Sequence, residues 1–144
     1  MFKKILVATD GTELSKKAID TAVGLARSLG ASLVGVTAVD AYPYTGIGQI
    51  DPAAYSEFQA WASAQAFDRL AALEKAAGAA GVKCEALSRQ GAPPWRAILD
   101  TAADNGCDAI VMASHGRHGV SALLLGSETQ HVLAQSTLPV IVVR

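Results

Sequence analysis

The chain has 144 residues, of which 51% are hydrophobic and 17% are charged, and its net charge is −1. This length and composition fit one globular domain with a sizeable core and exclude a disordered chain. The near-zero charge gives no broad basic surface for nucleic acid or an anionic membrane. We therefore expect a single domain over residues 1–144 that binds neither.

The cysteines and the N-terminal residues indicate the cellular compartment of the protein. Cys84 and Cys107 stand alone, without the close spacing of a zinc site or a disulfide framework. The apolar run after Met1 is too short for the core of a signal peptide, and no later run is long enough to span a bilayer. These features predict a cytoplasmic protein.

The first half of the chain predicts two buried strands, each followed by a helix. KILVAT at residues 4–9 and SLVGVTAV at residues 32–39 are nearly continuous apolar runs, as in strands covered on both faces. The first helix is expected to start near Thr12 as N-cap and to stop at Gly30. Residues 40–52 predict a loop, and a long helix is expected from Ala53 to Gly81. The predicted buried face of that helix is Phe58, Ala62, Ala66, Leu70, Leu73 and Ala77.

The second half repeats this alternation. Residues 82–90 predict a third strand near a sheet edge, and Pro94 suits the first turn of the next helix. The apolar face of that helix is predicted to be Trp95, Ile98, Leu99, Ala102 and Ala103. Residues 108–114 and 138–144 predict the fourth and fifth strands. The alternation predicts one five-stranded parallel sheet with helices on both faces, a Rossmann-like α/β fold.

The strand order of such a sheet predicts where a ligand would bind. The common order 3-2-1-4-5 creates a switch point between strands one and four, and ligands bind beyond the carboxyl ends of the strands there. The two loops at that point are TDGT after strand one and SHGRHG after strand four. They are the most polar glycine-bearing strand-to-helix turns of the chain.

The segment after strand four has the features of an anion site. Gly116 lets a ligand approach the backbone, and Gly126 and Ser127 open the last helix, whose first N–H groups lack intrahelical partners. Phosphate could be bound there by N–H groups, by Ser127 Oγ and by Thr129 Oγ. A side chain at Gly126, as in Gly126→Val, is expected to block this approach while leaving the fold intact. The alternative is a capping box of Ser127 with Gln130, which needs no ligand.

Other polar residues also allow two interpretations. Asp10 could accept hydrogen bonds from ribose hydroxyls or cap the first helix. His115 and His118 are three residues apart, but no Cys, Asp or Glu is close to them in sequence, so they are interpreted as loop histidines and not metal ligands. Arg117 is interpreted either as the nearest cation to the anion site or as a solvated surface arginine. The chain has neither a P-loop motif nor a GxSxG motif, so binding is favoured over catalysis and no catalytic residue is assigned.

At these residues the chain resembles the universal stress protein family along essentially its whole length. The opening KKILVATDGTELSKKAIDTAVGLARSLGASLVGVTAV and the closing VMASHGRHGVSALLLGSETQHVLAQSTLPVIVVR are both similar to the family. Nucleotide-binding members have G-x2-G-x9-G-[ST] in the closing unit. This chain has Ala113, Gly116, Gly126 and Ser127 at that spacing, with Ala113 in place of the first glycine.

The resemblance implies an ATP site with Mg²⁺ or Mn²⁺ bound through the phosphates. Ala8, Thr9 and Asp10 would border the adenosine, and Ala38 would touch the adenine. Met112 and Ala113 would line the ribose side. The phosphates would be held by Gly116, Gly126, Ser127 and Thr129. Glu128 is a second departure from the family pattern, because its carboxylate would repel phosphate if it pointed inward.

The resemblance also implies a homodimer through the last strand. PVIVVR, which begins at Pro139 and ends at Arg144, is a β-branched edge strand of the kind that family members pair with a second copy. The leading hypothesis is an ATP-binding switch or sensor in a stress response. The alternatives are a dimeric scaffold with a vestigial pocket and a slow ATPase.

Overall fold

A computed structural model describes residues 1–116 and 124–144; the predictions for Arg117 and His118 lie outside these residues. Strands and helices alternate along the described chain, as the hydrophobic pattern predicts. The strands are β1 (Lys4–Ala8), β2 (Ser32–Val39), β3 (Cys84–Gln90), β4 (Ala109–Ala113) and β5 (Val140–Val143). The helices are α1 (Glu13–Leu29), α2 (Pro52–Ala79), α3 (Pro94–Asp104) and α4 (Ser127–Gln135).

The five strands form one parallel sheet in the order β3-β2-β1-β4-β5, which confirms the predicted topology. The chain leaves β1 toward β2 and β3, then returns to place β4 on the other side of β1. This reversal opens a crevice above the carboxyl ends of β1 and β4. β3 and β5 are the two outer strands.

Each face of the sheet has its own apolar core. On one face, Ile5 and Val7 of β1 pack with α1 and with Leu73 of α2. On the other face, Leu6 and Met112 pack with Ile98 of α3 and Val132 of α4. Successive residues of β1 thus face opposite helix layers, which is why KILVA is apolar throughout.

Gly35 sets how closely α2 approaches the sheet. A Cβ built at Gly35 overlaps the Cδ2 methyl group of Leu73, so glycine leaves the space that the Leu73 side chain occupies beside β2. The predicted buried face of α2 is confirmed by Ala62, Ala66, Leu70, Leu73 and Ala77, and Phe58 is partly buried. The close contact fixes α2 beside β2.

Helix boundaries agree with the predicted caps in two cases and differ in others. The Thr12 side chain accepts a hydrogen bond from the Ser15 N–H at the start of α1, and Gly30 follows the helix in the left-handed region at φ 66°. α2 starts one residue earlier than expected because Asp51 is its N-cap. β3 starts at Cys84 and not at residue 82.

The buried face of α3 is the less accurate prediction. Ala97, Ile98, Thr101 and Ala102 are its buried residues, whereas Ala103 is exposed. The buried Thr101 hydroxyl is satisfied by a hydrogen bond that it accepts from Arg89 Nε of β3 at 2.8 Å. The buried face of α3 thus includes a polar residue with a partner on β3 and does not include Ala103.

Candidate functional site

A cavity of about 860 Å³ lies above the carboxyl ends of β1, β2 and β4. Its walls come from these strand ends, from α2 and α3, and from the start of α4. All eleven residues assigned from the sequence line it: Ala8, Thr9, Asp10, Ala38, Met112, Ala113, Gly116, Gly126, Ser127, Glu128 and Thr129. The structure therefore brings every predicted site residue to one cavity at the switch point.

The turn after β1 is held by its own hydrogen bonds. The Thr9 hydroxyl lies 3.1 Å from Ser15 Oγ and accepts a bond from the Gly11 N–H at 3.3 Å. Because Ser15 Oγ donates to the Thr12 carbonyl, the Thr9 hydroxyl is the donor of the shared pair. Thr9 is 5% exposed, and its hydroxyl stabilises the turn by these two hydrogen bonds.

Asp10 supports the cap of α1 and also faces the second loop. Its Oδ1 accepts bonds from the N–H and the hydroxyl of Thr12, at 3.0 and 2.6 Å, while Thr12 and not Asp10 caps the helix. Its Oδ2 lies 2.9 Å from the position of a Cβ built at Gly116. The absence of a side chain at Gly116 therefore leaves room for this carboxylate.

Two hydrogen bonds connect the start of α4 to the residues at the end of β4. The Gly126 N–H donates to the Ser114 carbonyl at 2.8 Å, and Thr129 Oγ1 donates to the Ala113 carbonyl at 2.9 Å. Thr129 is 1% exposed. Its hydroxyl proton is thus used within the protein, which corrects the predicted role of Thr129 Oγ as a phosphate donor. The Thr129 N–H lies in the first turn of α4, where it has no intrahelical acceptor.

The capping box predicted for Ser127 and Gln130 is wrong. Gly126 is the N-cap of α4 and lacks a side-chain cap bond, so Ser127 is already the first helical residue. The Gln130 amide donates to the Leu125 carbonyl at 2.7 Å instead. Ser127 is exposed, and its hydroxyl forms no hydrogen bond with any residue that the structure describes.

The close approach of Gly126 to His115 also favours glycine at this position. A Cβ at this position would lie 3.0 Å from His115 Cα and 3.1 Å from His115 Cβ. A larger residue would press on the loop after β4 as well as fill the cavity. The expectation that a side chain at Gly126 would act only by blocking a ligand is therefore incomplete.

Glu128 points toward α3. Its Oε2 accepts a hydrogen bond from the Trp95 N–H at 2.7 Å. Pro93 and Pro94 provide no N–H groups, so Trp95 offers the first backbone donor of α3. The carboxylate therefore bridges the starts of two helices while lining the cavity.

The opposite end of the cavity contains residues that the sequence did not single out. Trp61, Gln65 and Arg69 follow one another at four-residue intervals on α2 and line the same wall. Arg69 is half-buried, and its Nη1 donates to the Ala38 carbonyl at 2.8 Å. The sequence signal that could have identified Arg69 is its position as a charged residue next to the buried face formed by Ala66, Leu70 and Leu73.

The charged groups among the described lining residues are mainly acidic. Asp10, Asp40 and Glu128 provide carboxylates, and Arg69 provides a guanidinium. Within residues 1–116 and 124–144, no three His, Cys, Asp or Glu side chains lie together as metal ligands would. In the same part of the chain, no helix has the length and hydrophobicity needed to span a membrane.

A match to the universal stress protein family covers residues 1–144. The chain belongs to this family. It is 35% identical to universal stress protein YxiE of Bacillus subtilis, and the alignment covers all of both chains. Universal stress protein UspA from Lactobacillus plantarum has the same fold, with a TM-score of 0.82 at 26% identity over 99% of this chain and 97% of that one.

A further solved structure is a universal stress protein in complex with cAMP. It is similar to this chain with a TM-score of 0.74 and 24% identity, covering 99% of this chain and 97% of that one. At this identity the likeness shows a shared fold. The five-stranded sheet of this chain is thus that of solved universal stress proteins.

Proposed function

We propose that this universal stress protein binds an adenine nucleotide, with ATP as the ligand, and acts as a nucleotide-dependent switch in a stress response. The observation that supports this is the convergence on one cavity at the switch point of eleven residues from β1, β2, β4, α4 and the segments that follow β1 and β4. Pockets of this kind are the usual ligand sites of α/β sheets. A cavity of about 860 Å³ is large enough for a nucleotide.

The polar groups suggest how the ligand would lie. The N–H groups of Ser127, Glu128 and Thr129 are in the first turn of α4 and have no intrahelical acceptor. Together with the Ser127 hydroxyl, they are suited to phosphate oxygens, beside Gly116 and Gly126. Asp10 would accept from the ribose, with Met112 and Ala113 beside it. The base would lie near Ala8, Thr9 and Ala38.

A divalent ion is part of this proposal. Mg²⁺ or Mn²⁺ bound through the phosphate oxygens would reduce the repulsion between the ligand and the carboxylates of Asp10 and Glu128. We assign the chain to the nucleotide-binding branch of the family, with Ala113 tolerated in place of the first motif glycine. The cAMP complex of a protein with the same fold supports an adenine nucleotide as the class of ligand.

The experiment is a binding measurement with a matched pair of variants. Nucleotide is first extracted with acid from the purified protein and identified, and ATP affinity is then measured with and without Mg²⁺. We expect Ser127→Ala to weaken binding several-fold without lowering the melting temperature, because its hydroxyl has no other described partner. Ser28→Ala, an exposed serine in the last turn of α1, is the control and should change neither.

A second candidate is a dimeric interaction module whose pocket does not bind nucleotide. It is favoured by the three carboxylates in the described lining, which oppose phosphate. No co-purifying nucleotide and no ATP binding with Mg²⁺ would select this candidate. Hydrolysis of bound ATP would instead favour the third candidate, a slow ATPase.

For each of these candidate functions we propose a cytoplasmic homodimer that pairs through β5.

A further inference from the structure

We propose that an aromatic and acidic surface beside the cavity binds a segment of another protein in which Lys or Arg side chains lie among large apolar ones. This binding does not depend on a nucleotide in the cavity, so it can be tested whether or not the proposed function holds. The surface is formed by the residues after β2 and by the first turns of α2. We call it the aromatic–acidic surface, and its members are Asp40, Tyr42, Asp51, Tyr55, Glu57 and Trp61.

The aromatic rings of this surface are connected by direct contacts. The Tyr42 ring lies edge-on to the rings of Tyr55 and Phe58, with centroids 5.3 and 5.5 Å apart. The Phe58 ring contacts that of Trp61, with centroids 5.4 Å apart. Tyr55 is nevertheless 40% exposed and Trp61 47% exposed. Adjoining exposed apolar groups mark interaction sites, and Tyr and Trp are enriched at the centres of protein interfaces.

Hydrogen bonds fix the same residues to the neighbouring strand. Gln90, the last residue of β3, donates from Nε2 to the Asp40 carbonyl at 3.1 Å and to Gln59 Oε1 at 2.8 Å. Gln59 Nε2 in turn donates to the Tyr55 hydroxyl at 2.8 Å. These bonds connect β3, the segment after β2 and α2. The surface is therefore ordered before a partner binds, which lowers the entropy cost of binding.

Each exposed ring lies beside a carboxylate. On α2, Glu57 is one helical turn before Trp61. Asp51, the N-cap residue of α2, is four residues before Tyr55. Asp40 lines the cavity together with Trp61. All three carboxylates are exposed, so the acidic groups share one surface with the rings.

The charge of this surface decides the class of partner. The sequence between Arg27 and Arg69 contains no Lys, Arg or His. The salt bridges formed by residues 1–116 and 124–144 use other carboxylates, those of Glu13 and Asp104. The surface thus attracts Lys and Arg side chains and repels nucleic acid and an anionic membrane. Its rings add cation–π attraction for the same side chains and apolar contact for their neighbours.

The test uses two synthetic peptides of equal length, one of leucine and lysine and one with glutamate in place of each lysine. Trp61 and Trp95 are the two tryptophans of the chain, so in full-length Trp95→Phe the tryptophan fluorescence reports on Trp61 alone. We expect the lysine peptide to bind with micromolar affinity and to shift the Trp61 emission to shorter wavelength, and the glutamate peptide not to bind. Equal binding of the two peptides, or binding of neither, would overturn the proposal.

A charge variant tests the role of the carboxylates. Combined Asp40→Asn, Asp51→Asn and Glu57→Gln should weaken binding of the lysine peptide about tenfold at low ionic strength. Asparagine at position 51 can still cap α2. The matched control removes three exposed carboxylates from α1, β3 and α3, in Asp20→Asn, Glu85→Gln and Asp100→Asn. Equal weakening by both triple variants would indicate a general charge effect and overturn the proposal.

An aromatic variant tests the role of the rings, with binding measured by calorimetry. Trp61→Ala should weaken binding of the lysine peptide at least about tenfold. Phe67→Ala is the control and should not change it, because Phe67 is 73% exposed and, six residues from Trp61, lies on another side of α2. An equal effect of the two variants would overturn the proposal. So would an oligomer of the protein alone that dissociates in Trp61→Ala, because a second copy would then occupy this surface.

Discussion

The Glu128 carboxylate and the Trp95 N–H are joined by a hydrogen bond of 2.7 Å that links the start of α4 to the start of α3. Glu128 lines the cavity, and so does Pro94, the residue that precedes Trp95. The hydrogen bond is therefore close to the cavity. Trp95 is further held by stacking with His131 of α4, with ring centroids 5.5 Å apart. Glu128 thus has two effects: its hydrogen bond stabilises the packing of α3 and α4, and its negative charge repels an anionic ligand in the cavity.

These two effects of Glu128 can be separated by substitution. Glu128→Gln retains an oxygen acceptor for the Trp95 N–H and removes the charge. We expect Glu128→Gln to lower the melting temperature less than Glu128→Ala does, because the Trp95 N–H keeps an acceptor and only the contribution of the negative charge is lost. ATP affinity should rise several-fold, most at low ionic strength.

Glu128→Ala removes both the acceptor and the charge. It should lower the free energy of unfolding by about 1 kcal/mol, measured by urea denaturation, while ATP affinity still rises. Glu57→Gln, at an exposed position on α2 away from the cavity lining, should change neither quantity. A fall in ATP affinity in Glu128→Gln would mean that Glu128 contacts the ligand favourably.

Gly35 provides a prediction about stability. Gly35→Ala would place a Cβ on the Leu73 Cδ2 methyl group, so the fully buried Leu73 side chain would have to move within a packed core. Overpacking of this kind costs about 1–3 kcal/mol in unfolding free energy. Chemical denaturation followed by circular dichroism would measure the loss.

Gly24→Ala is the matched control for Gly35→Ala. Gly24 is an exposed residue within α1, and a Cβ there meets no atom within 4 Å. Alanine is favoured over glycine in a helix by about 1 kcal/mol, so this variant should be more stable than wild type. Equal destabilisation by both substitutions would contradict the role assigned to the Gly35–Leu73 contact.

The two cysteines predict how stability depends on alkaline pH. Burial raises the pKa of both thiols from 9.0 to about 11; nearby Glu74 and Glu85 add to this at Cys84, while Lys4 opposes it at Cys107. Below pH 9 the thiols are protonated in the folded and unfolded states alike. Between pH 9 and 11 the unfolded chain loses these protons and the folded chain retains them, so stability should fall as pH rises.

The measurement is the unfolding free energy at pH 8 and pH 10.5 for wild type and for Cys84→Ala with Cys107→Ala. Lysines and tyrosines titrate in the same range, so the relevant quantity is the difference between the two proteins. Wild type should lose more stability over this interval than the double variant. Equal losses would indicate that the thiols do not hold their protons in the folded protein.

The sequence predicted the fold more completely than it predicted the details of the site. The alternation of apolar runs predicts a parallel sheet, and the chirality of crossovers limits the strand orders, of which the common order 3-2-1-4-5 is the one found. The cavity residues Asp10, Gly116 and Ser127 could be named because strand ends and glycines mark the switch point.

The errors concern side chains whose partners are distant in sequence. Ser127 and Gln130 have the spacing of a capping box, but α4 begins with Gly126 as its cap. Thr129 bonds to Ala113, sixteen residues earlier. Glu128 bonds to Trp95, thirty-three residues earlier. Spacing within one helix does not contain this information, because the partner is determined by how the helices pack on the sheet.

The last prediction concerns the outer edge at β5. Among the strands formed by residues 1–116 and 124–144, β5 pairs with β4 alone, and Val140, Ile141, Val142 and Val143 are each partly exposed. A partly exposed β-branched outer strand favours pairing with another strand, so we expect a homodimer through β5. Val142→Lys should produce a monomer in sedimentation velocity at micromolar concentration. Val142→Thr retains β-propensity and should remain dimeric. A wild-type monomer, or a dimer that persists in Val142→Lys, would contradict pairing through this strand.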